Sequence, residues 1–252
     1  MILCIGEILA DIIGEKSDGN LSLKAFCGGA PFNVAVNAAQ SGAKVGFIGR
    51  VGSDPIGKFL SENAKRAPLD FIEIQTDNYR NTTLAFVTIE SGERDFSFFR
   101  NDTADYHLCA EGLNEEKLFP YGIVHLGSLM LSKKEGRAYA KEAVKIIKNA
   151  GKLLSFDINY RADLFKDYED ARKALNPIVK AADILKFSED EIVAFTNETN
   201  LNKAIDKVKA RNKLILVTLG EKGSICDYND YRALFPAEKI VPVDTTGAGD
   251  AF

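Results

Sequence analysis

Short apolar segments recur along the chain and alternate with longer stretches whose apolar residues have helical spacing. This alternation predicts an α/β fold in which helices flank a central, mostly parallel sheet on both faces. Helices are predicted at residues 133–150, ending at Gly151, and behind Pro31 and Pro55. The predicted strands are residues 2–5, 45–48, 122–126, 153–158, 184–187 and 214–219.

One segment departs from this alternation. Residues 82–89 and 94–100 are typical of two strands joined by the turn-forming residues 90–93. Because a hairpin cannot serve as the crossover between parallel strands, we expect it to form a small β-sheet lid together with residues 8–26. We expect residues 1–252 to be a single domain that carries this lid.

Composition and charge narrow the possible functions. The 252 residues carry a formal net charge of −4, which argues against nucleic acid as a partner because that requires clustered cationic residues. The N-terminus lacks the basic segment of a signal peptide, and no apolar run approaches the roughly 18 residues of a membrane span. We therefore expect a cytoplasmic protein that has no membrane partner. Four widely spaced cysteines are expected to be reduced and mostly buried: Cys4, Cys27, Cys109 and Cys226.

The strongest chemical signal is the sequence VDTTGAGDAF at residues 243–252. Gly247, Ala248 and Gly249 would let successive backbone N–H groups point into one concavity, which suits the charge on a phosphoryl group during transfer. Asp250 could then accept the proton of an attacking hydroxyl. A glycine-rich turn in which Asp250 caps a helix is an alternative interpretation of the same residues.

Two earlier segments offer groups that could bind hydroxyls. Gly28 and Gly29 would let a ligand approach the backbone, and the amide of Asn33 can both donate and accept hydrogen bonds. Asp11 is a lone carboxylate in an apolar stretch, where vicinal hydroxyls would satisfy it. A structural turn at residues 28–33 and a hydrogen-bonded Asp at a strand end remain alternatives.

Polar clusters also follow two of the predicted strands. Residues 157–161 should lie at the carboxyl end of their strand, where open α/β sheets bind ligands, and Arg161 can hold a phosphate bidentately. In residues 188–191, a carboxylate could hold Mg²⁺ through water. Favourable negative charge on the first turn of a helix is the alternative for this second cluster.

Two nucleotide-binding motifs are rejected. Residues 52–59 fit G-x-x-x-x-G-K, but Phe59 replaces the hydroxyl that would bind Mg²⁺, and Pro55 removes a backbone donor. Gly247 and Gly249 lack the third glycine and the downstream acid of a dinucleotide site.

In this order, the segments resemble the ribokinase/PfkB carbohydrate kinase family over essentially all 252 residues, and residues 28–35, 92–100 and 157–161 most resemble bacterial and plant fructokinases. The resemblance implies a ribokinase-like fold and an ATP-dependent kinase that phosphorylates the primary 6-hydroxyl of fructose. A related kinase for ribose, a keto-deoxy sugar acid or a nucleoside is one alternative. A non-catalytic sugar-binding regulatory protein is another.

The resemblance also implies a role for each site residue. Asp250 would be the general base, beside an anion hole formed by Gly247, Ala248 and Gly249. The sugar would be bound by Asp11, Gly28, Gly29, Asn33, Phe98 and Arg161. The nucleotide would be bound by Ser188, Glu191, Thr218, Gly220 and Gly223, with Ser188 standing where the family has Asn. Glu191 would hold Mg²⁺ through water, and Asp244 and Thr246 a monovalent cation.

The implied cofactors are ATP, Mg²⁺ and K⁺, and the implied partners are a small-molecule sugar and a second copy of the chain that pairs through the lid. Family members continue beyond the position of Phe252. We therefore expect the chain to be incomplete at its C-terminus, with impaired nucleotide affinity and turnover.

Overall fold

The apolar segments of the sequence become the strands of a nine-stranded sheet in the computed structural model, which describes residues 1–17, 20–90, 93–240 and 247–252. A second sheet has four strands. The strands are β1 (Ile2–Ile5), β2 (Leu9–Ser17), β3 (Asn20–Gly28), β4 (Val45–Gly52), β5 (Phe71–Asp77), β6 (Leu84–Glu90), β7 (Glu93–Phe99), β8 (Ile123–Leu126), β9 (Leu153–Asp157), β10 (Ile184–Ser188), β11 (Leu214–Thr218), β12 (Ser224–Tyr228) and β13 (Tyr231–Phe235). The helices are α1 (Ala30–Gln40), α2 (Pro55–Ala64), α3 (Glu115–Leu118), α4 (Lys134–Asn149), α5 (Tyr168–Ala181), α6 (Glu189–Thr196), α7 (Leu201–Val208) and α8 (Ala248–Ala251).

The strand order of the main sheet is β13-β12-β11-β10-β9-β8-β1-β4-β5. From β5 to β11 every neighbouring pair is parallel, whereas β12 and β13 pair antiparallel at the edge. The predicted α/β class with a mostly parallel sheet is therefore confirmed. The carboxyl ends of parallel strands all lie at one edge of the sheet. The polar clusters at residues 157–161 and 188–191 lie at this edge, because they begin at the last residues of β9 and β10.

Helices cover both faces of the main sheet. Successive residues of a strand point to opposite faces, and on β1 the side chains of Leu3 and Ile5 belong to one buried cluster while Cys4 belongs to another. The first cluster includes Phe156 and Phe187. The second includes Phe32 of α1 and Leu60 of α2. The two-sided burial explains why the strands are almost uniformly apolar.

The predicted lid is a separate sheet of order β3-β2-β6-β7. β2 and β3 form one antiparallel hairpin and β6 and β7 another, and the two hairpins join through parallel pairing of β2 with β6. β2 begins four residues after β1 ends, so residues 6–8 connect the main sheet to the lid. The connection holds Glu7 at the junction of the two sheets.

Residues 52–59 contain the beginning of α2, whose N-cap residue is Asp54. The Asp54 side chain accepts a hydrogen bond from the backbone N–H of Gly57 at 2.8 Å, and Pro55 occupies the first turn of α2. A Cβ on Gly57 would lie 2.0 Å from the carbonyl oxygen of Gly52. Close packing of backbone against backbone therefore accounts for this glycine.

All four cysteines are free thiols. Cys4 is buried and Cys109 is exposed, while Cys27 and Cys226 are partly exposed. Of the four cysteines only Cys4 is fully buried, so the expectation of mostly buried thiols is wrong, and Cys109 is exposed although Tyr106 and Leu108 just before it are buried. Within the part of the chain that the structure describes, no helix has both the length and the apolar character of a membrane span.

Candidate active site

A polar cleft lies where the main sheet, the lid and α8 meet. It brings together residues from widely separated parts of the sequence, and five of the six predicted sugar-binding residues are among them. The cleft is lined by Glu7, Leu9, Asp11, Gly29, Ala30, Asn33, Phe98, Leu129, Asn159, Arg161, Gly247 and Asp250.

Asp250 enters the cleft from α8 and is fixed by α1. The Asn33 Nδ2 donates a hydrogen bond of 2.8 Å to Oδ2 of Asp250. Gly247 precedes α8 with φ at +71°, a left-handed conformation that glycine adopts at little cost. The first N–H groups of a helix have no intrahelical acceptor, so those after Gly247 are suited to meet an anion beside Asp250.

Burial raises the pKa of Asp250 above its usual range. Three groups oppose this shift: the hydrogen bond from Asn33 and the positive charges of Lys186 and Arg161. The carboxylate is thus desolvated enough to be basic, yet its ionised form is partly stabilised by neighbours. These are the properties that a general base requires.

Asp11 lies at the other side of the cleft, against Gly28 of β3. A Cβ at position 28 would lie 2.1 Å from Oδ2 of Asp11, so the glycine makes room for the carboxylate. Burial is the main cause that raises the pKa of Asp11 to about 6, and the charge of Asp250 adds to it while Arg161 lowers it. Gly28 itself shapes the cleft from behind and does not line it.

Gly29 begins the turn into α1 with φ at +111°. A Cβ there would lie 2.5 Å from the carbonyl oxygen of Glu7, so both its conformation and its surroundings require glycine. This close approach sets α1 against the connection between β1 and β2 and aims Asn33 at Asp250.

Arg161 follows β9 and supplies positive charge to the cleft. It lowers the pKa of both Asp11 and Asp250, and its Nη1 donates to the backbone oxygen of Tyr160 at 3.1 Å. Asn159, two residues earlier, has φ at +38° and also faces the cleft. Residues 157–161 therefore lie at the carboxyl edge of the sheet, where the sequence predicted them.

Lys186 and Asp157 form an ion pair of 2.5 Å beneath α8. Burial is the main cause that raises the pKa of Asp157 to about 6, and Lys186 opposes it. A Cβ on Gly249 would lie 3.9 Å from the Nζ of Lys186. Lys186 was not predicted as a site residue, although a lysine between the apolar residues Leu185 and Phe187 was a usable signal.

Glu7 and Ala30 also line the cleft without having been predicted, whereas Asn159 was predicted only as part of the polar cluster at residues 157–161. Glu7 directly follows the first apolar strand, in the connection that leads to the lid. A charged residue at such a position is a usable signal, because strand ends of α/β sheets gather ligand-binding groups.

Ser188 and Glu191 form a capping box at the start of α6. Ser188 Oγ accepts from the N–H of Glu191 at 3.2 Å, and Glu191 Oε2 accepts from the N–H of Ser188 at 2.8 Å. Glu191 Oε1 also accepts from the N–H of Tyr160 at 2.7 Å. The carboxylate therefore ties the loop after β9 to α6, and only its remaining lone pairs face other ligands.

The other predicted nucleotide-binding residues follow β11. Thr218 ends this strand, and Gly220 and Gly223 have φ of +59° and +106° around a tight turn. A Cβ on Gly223 would lie 1.9 Å from the carbonyl oxygen of Phe235, which fixes this turn against β13. Neither these residues nor Ser188 and Glu191 line the cleft around Asp250.

The metal predictions find limited support in the geometry. Asp244 and Thr246 lie outside the described residues. Among the residues that the structure does describe, no three His, Cys, Asp or Glu side chains gather as a metal would require. Glu191, with both oxygens hydrogen-bonded, fits a cation held through water better than one bound directly.

Comparisons with known proteins agree on one family. The model of the pfkB family of carbohydrate kinases matches residues 1–252. The chain is 38% identical to a probable fructokinase-2 of Arabidopsis thaliana, covering all of this chain and 79% of the relative. A fructokinase of Xylella fastidiosa with bound ATP superimposes with a TM-score of 0.90 at 30% identity, over 99% of this chain and 78% of the other.

A double-mutant fructokinase of Vibrio cholerae O395, whose structure holds fructose, ADP and a potassium ion, is also similar. Its TM-score is 0.85 at 28% identity, over 99% of this chain and 79% of that one.

Proposed function

This chain belongs to the pfkB family of carbohydrate kinases, and we propose that it transfers the γ-phosphoryl group of ATP to the primary 6-hydroxyl of fructose. The observation that carries the proposal is the position of Asp250. Its carboxylate is half-buried, accepts a hydrogen bond from Asn33 and follows the first backbone N–H groups of α8, in a cleft that also contains Asp11 and Arg161. A base beside an anion site is the arrangement that phosphoryl transfer to a hydroxyl requires.

In the proposed reaction the 6-hydroxyl of the sugar lies against Asp250, which accepts its proton as the hydroxyl oxygen attacks phosphorus. The new O–P bond forms as the bond from the γ-phosphorus to the β,γ-bridging oxygen breaks, and ADP leaves. The backbone N–H groups of Ala248 and Gly249 stabilise the negative charge on the transferred group. Positioning and electrostatic stabilisation supply most of the acceleration.

The remaining cleft residues would orient the sugar. Asp11 and Asn33 offer acceptors and donors to its hydroxyls, and Phe98 from the lid covers the ring. Phe98 packs with Leu9 and Leu129, so the lid contact is anchored to the main body. Closure of the lid would exclude water that otherwise accepts the phosphoryl group.

Fructose is favoured as the substrate because the curated relatives are fructokinases and the similar Vibrio cholerae structure holds fructose. ATP with a divalent and a monovalent cation fits the same comparisons, and we take these to be Mg²⁺ and K⁺. The cations would neutralise charge on the phosphates. Glu191 would hold the first through water, and Asp244 and Thr246 the second. A cytoplasmic location, where ATP is abundant, completes the proposal.

We also propose a homodimer that forms through the lid. The outer strand of the lid, β3, exposes 58% of Leu21 and 51% of Leu23. Adjacent exposed leucines on a small sheet mark a surface that gains stability when it is covered.

The test is ADP release by the purified protein across a panel of sugars, with Mg²⁺ and K⁺ present and Asp250→Asn as the matched variant. Turnover should peak on fructose and fall at least about a hundredfold in the variant, since the amide cannot accept the proton. Fructose binding, followed by calorimetry, should persist in the variant. Turnover that survives in Asp250→Asn would exclude this residue as the base.

A protein that binds sugars but releases no ADP with any of them would instead be a sugar-binding regulatory protein. Turnover that peaks on ribose, a keto-deoxy sugar acid or a nucleoside would keep the reaction class and replace the substrate.

A further inference from the structure

Glu7 is a buried acid for which the described part of the chain supplies no hydrogen-bond partner. It lies in the connection between β1 and β2, is only 1% exposed, and lines the cleft that contains Asp11 and Asp250. Among the described residues, neither its Oε1 nor its Oε2 finds a hydrogen-bond partner. A buried polar group that is left unsatisfied destabilises the folded protein, so the presence of this acid calls for an explanation.

The cation whose charge acts on Glu7, Arg100, does not provide that explanation. Arg100, at the foot of the lid, is paired with Asp105 at 2.6 Å and donates to Ser132 Oγ at 2.6 Å. Its charge lowers the pKa of Glu7 but makes no ion pair with it within 4.0 Å in the described part of the chain. The arginine is thus committed to a different buried acid.

The protein backbone is shaped around the carboxyl group. Gly127, after β8, has no side chain, and a Cβ there would lie 2.7 Å from Oε2 of Glu7. Any larger residue at position 127 would push the carboxyl group away. The backbone therefore leaves space for this acid beside the cleft, while none of the described residues is its hydrogen-bond partner.

The ionisation of Glu7 agrees with a role in binding a neutral ligand. Burial is the main cause that raises the pKa of Glu7 to about 8, against the opposing effects of its own backbone N–H and Arg100, while Asp105 and Asp250 add to the rise. This contact within one residue does not satisfy the carboxyl group, since both of its oxygens remain without a hydrogen-bond partner among the described residues. A protonated carboxyl both donates and accepts hydrogen bonds, as a sugar hydroxyl does.

We propose that Glu7 is a further substrate-binding and specificity-determining residue, whose carboxyl group exchanges hydrogen bonds with a secondary hydroxyl of the sugar. The inference rests on the proposed sugar-kinase function and adds a residue to its site. The bound sugar would supply the hydrogen-bond partner that the carboxyl group does not find among the described residues. A sugar without that hydroxyl leaves the acid unsatisfied and is rejected.

Two variants separate this role from a structural one. Glu7→Met keeps the length of the side chain and removes both oxygens, while Glu7→Gln keeps a donor and an acceptor. We expect Glu7→Met to raise the melting temperature of the sugar-free protein, because an unsatisfied polar group is removed from a buried site. The same variant should weaken sugar binding about tenfold to a hundredfold in calorimetry, with Glu7→Gln in between.

Binding of single-deoxy analogues of the preferred sugar then identifies the hydroxyl. One analogue should bind the wild-type protein at least about tenfold more weakly than the parent sugar, and this difference should disappear in Glu7→Met. A purely structural Glu7 gives the opposite pattern, a lower melting temperature in Glu7→Met and unchanged discrimination among the analogues.

The wild-type measurements keep the two proposals apart. If the wild-type protein binds and phosphorylates a sugar, yet Glu7→Met binds that sugar and all its deoxy analogues as the wild type does, the inference about Glu7 is overturned alone. If the wild-type protein binds no sugar, the proposed function is overturned and the inference with it.

Discussion

The amide of Asn33 and the carboxylate of Asp250 are joined by a hydrogen bond of 2.8 Å across 217 positions of sequence. The bond lowers the pKa of Asp250, while burial raises it. Asn33 therefore does more than complete the sugar site. It sets the pH at which the proposed base becomes able to accept a proton.

Replacing Asn33 by Ala should move the acidic limb of the pH profile of kcat/KM upward by about one pH unit. A group that favours the ionised form of Asp250 is lost, so its pKa rises further and the base becomes active only at higher pH. Asn63→Ala is the matched control, because that amide bonds only within its own helix, to the carbonyl of Phe59. An acidic limb that stays in place in Asn33→Ala would contradict the prediction.

Gly28→Ala should weaken sugar binding while ATP binding is retained. The added Cβ would lie 2.1 Å from Oδ2 of Asp11 and would displace this carboxylate from the cleft. We expect KM for the sugar to rise about tenfold or more and KM for ATP to change little. Gly122→Ala is the control, since no atom lies within 4 Å of a Cβ there. Equal sugar KM values in the two variants would rule out this role for Gly28.

Lys58→Ala should leave KM for ATP within about twofold of the wild-type value, although the residue occupies the lysine position of a nucleotide-binding motif. In the structure Lys58 is exposed on α2, in the turn capped by Asp54. Gly57→Ala should lower the melting temperature instead, because its Cβ would lie 2.0 Å from the oxygen of Gly52. A large rise of KM for ATP in Lys58→Ala would restore the nucleotide interpretation.

The double variant Leu21→Glu, Leu23→Glu should convert the proposed dimer to a monomer. The charged side chains would have to be desolvated in a lid interface, and the free energy of this desolvation exceeds the free energy gained by burying two leucines. Light scattering after size-exclusion chromatography measures the change in mass. Leu234→Glu on β13 is the control, because this leucine is 60% exposed but lies outside the lid. A wild-type protein that is already monomeric would refute the dimer.

Sequence patterns alone predicted the positions of most strands of the main sheet. β1 spans the predicted residues 2–5, and α4 runs within the predicted 133–150, because each element is long or uniformly apolar. Gly151 has φ at +66° at the predicted helix end. The lid hairpin was also predicted, with strands that begin and end within two residues of the observed ones.

Three elements, β12, β13 and α5, were not predicted, because their apolar and polar residues do not follow the simple pattern of a buried strand or an uninterrupted helix. The hairpin of β12 and β13 lies at the sheet edge, where residues such as Tyr231 and Phe235 are exposed, so its sequence lacks the apolar run of a buried strand. In α5, Pro177 lies inside the helix, which local rules read as a stop. Tertiary packing overrides the local signal in both cases.

Some features of the site could be predicted from motifs, whereas others depend on the three-dimensional structure. Motifs identified Asp11, Asn33 and Asp250, which the structure brings to one cleft. That no described residue is a hydrogen-bond partner of Glu7 could not be predicted, because it depends on which groups surround the acid in three dimensions. The pairing of Lys186 with Asp157 likewise depends on the register of β9 with β10, in which the two residues are opposite each other.

The long sequence separation between Asn33 and Asp250 has a consequence for protein synthesis. β1 and α1 leave the ribosome early, and the parallel strands can add to β1 as they emerge. Asp250 emerges 217 residues after the amide that orients it. A nascent chain can therefore build most of its sheet before the base arrives, so a chain that has not yet reached Asp250 lacks the base that it would need to consume ATP.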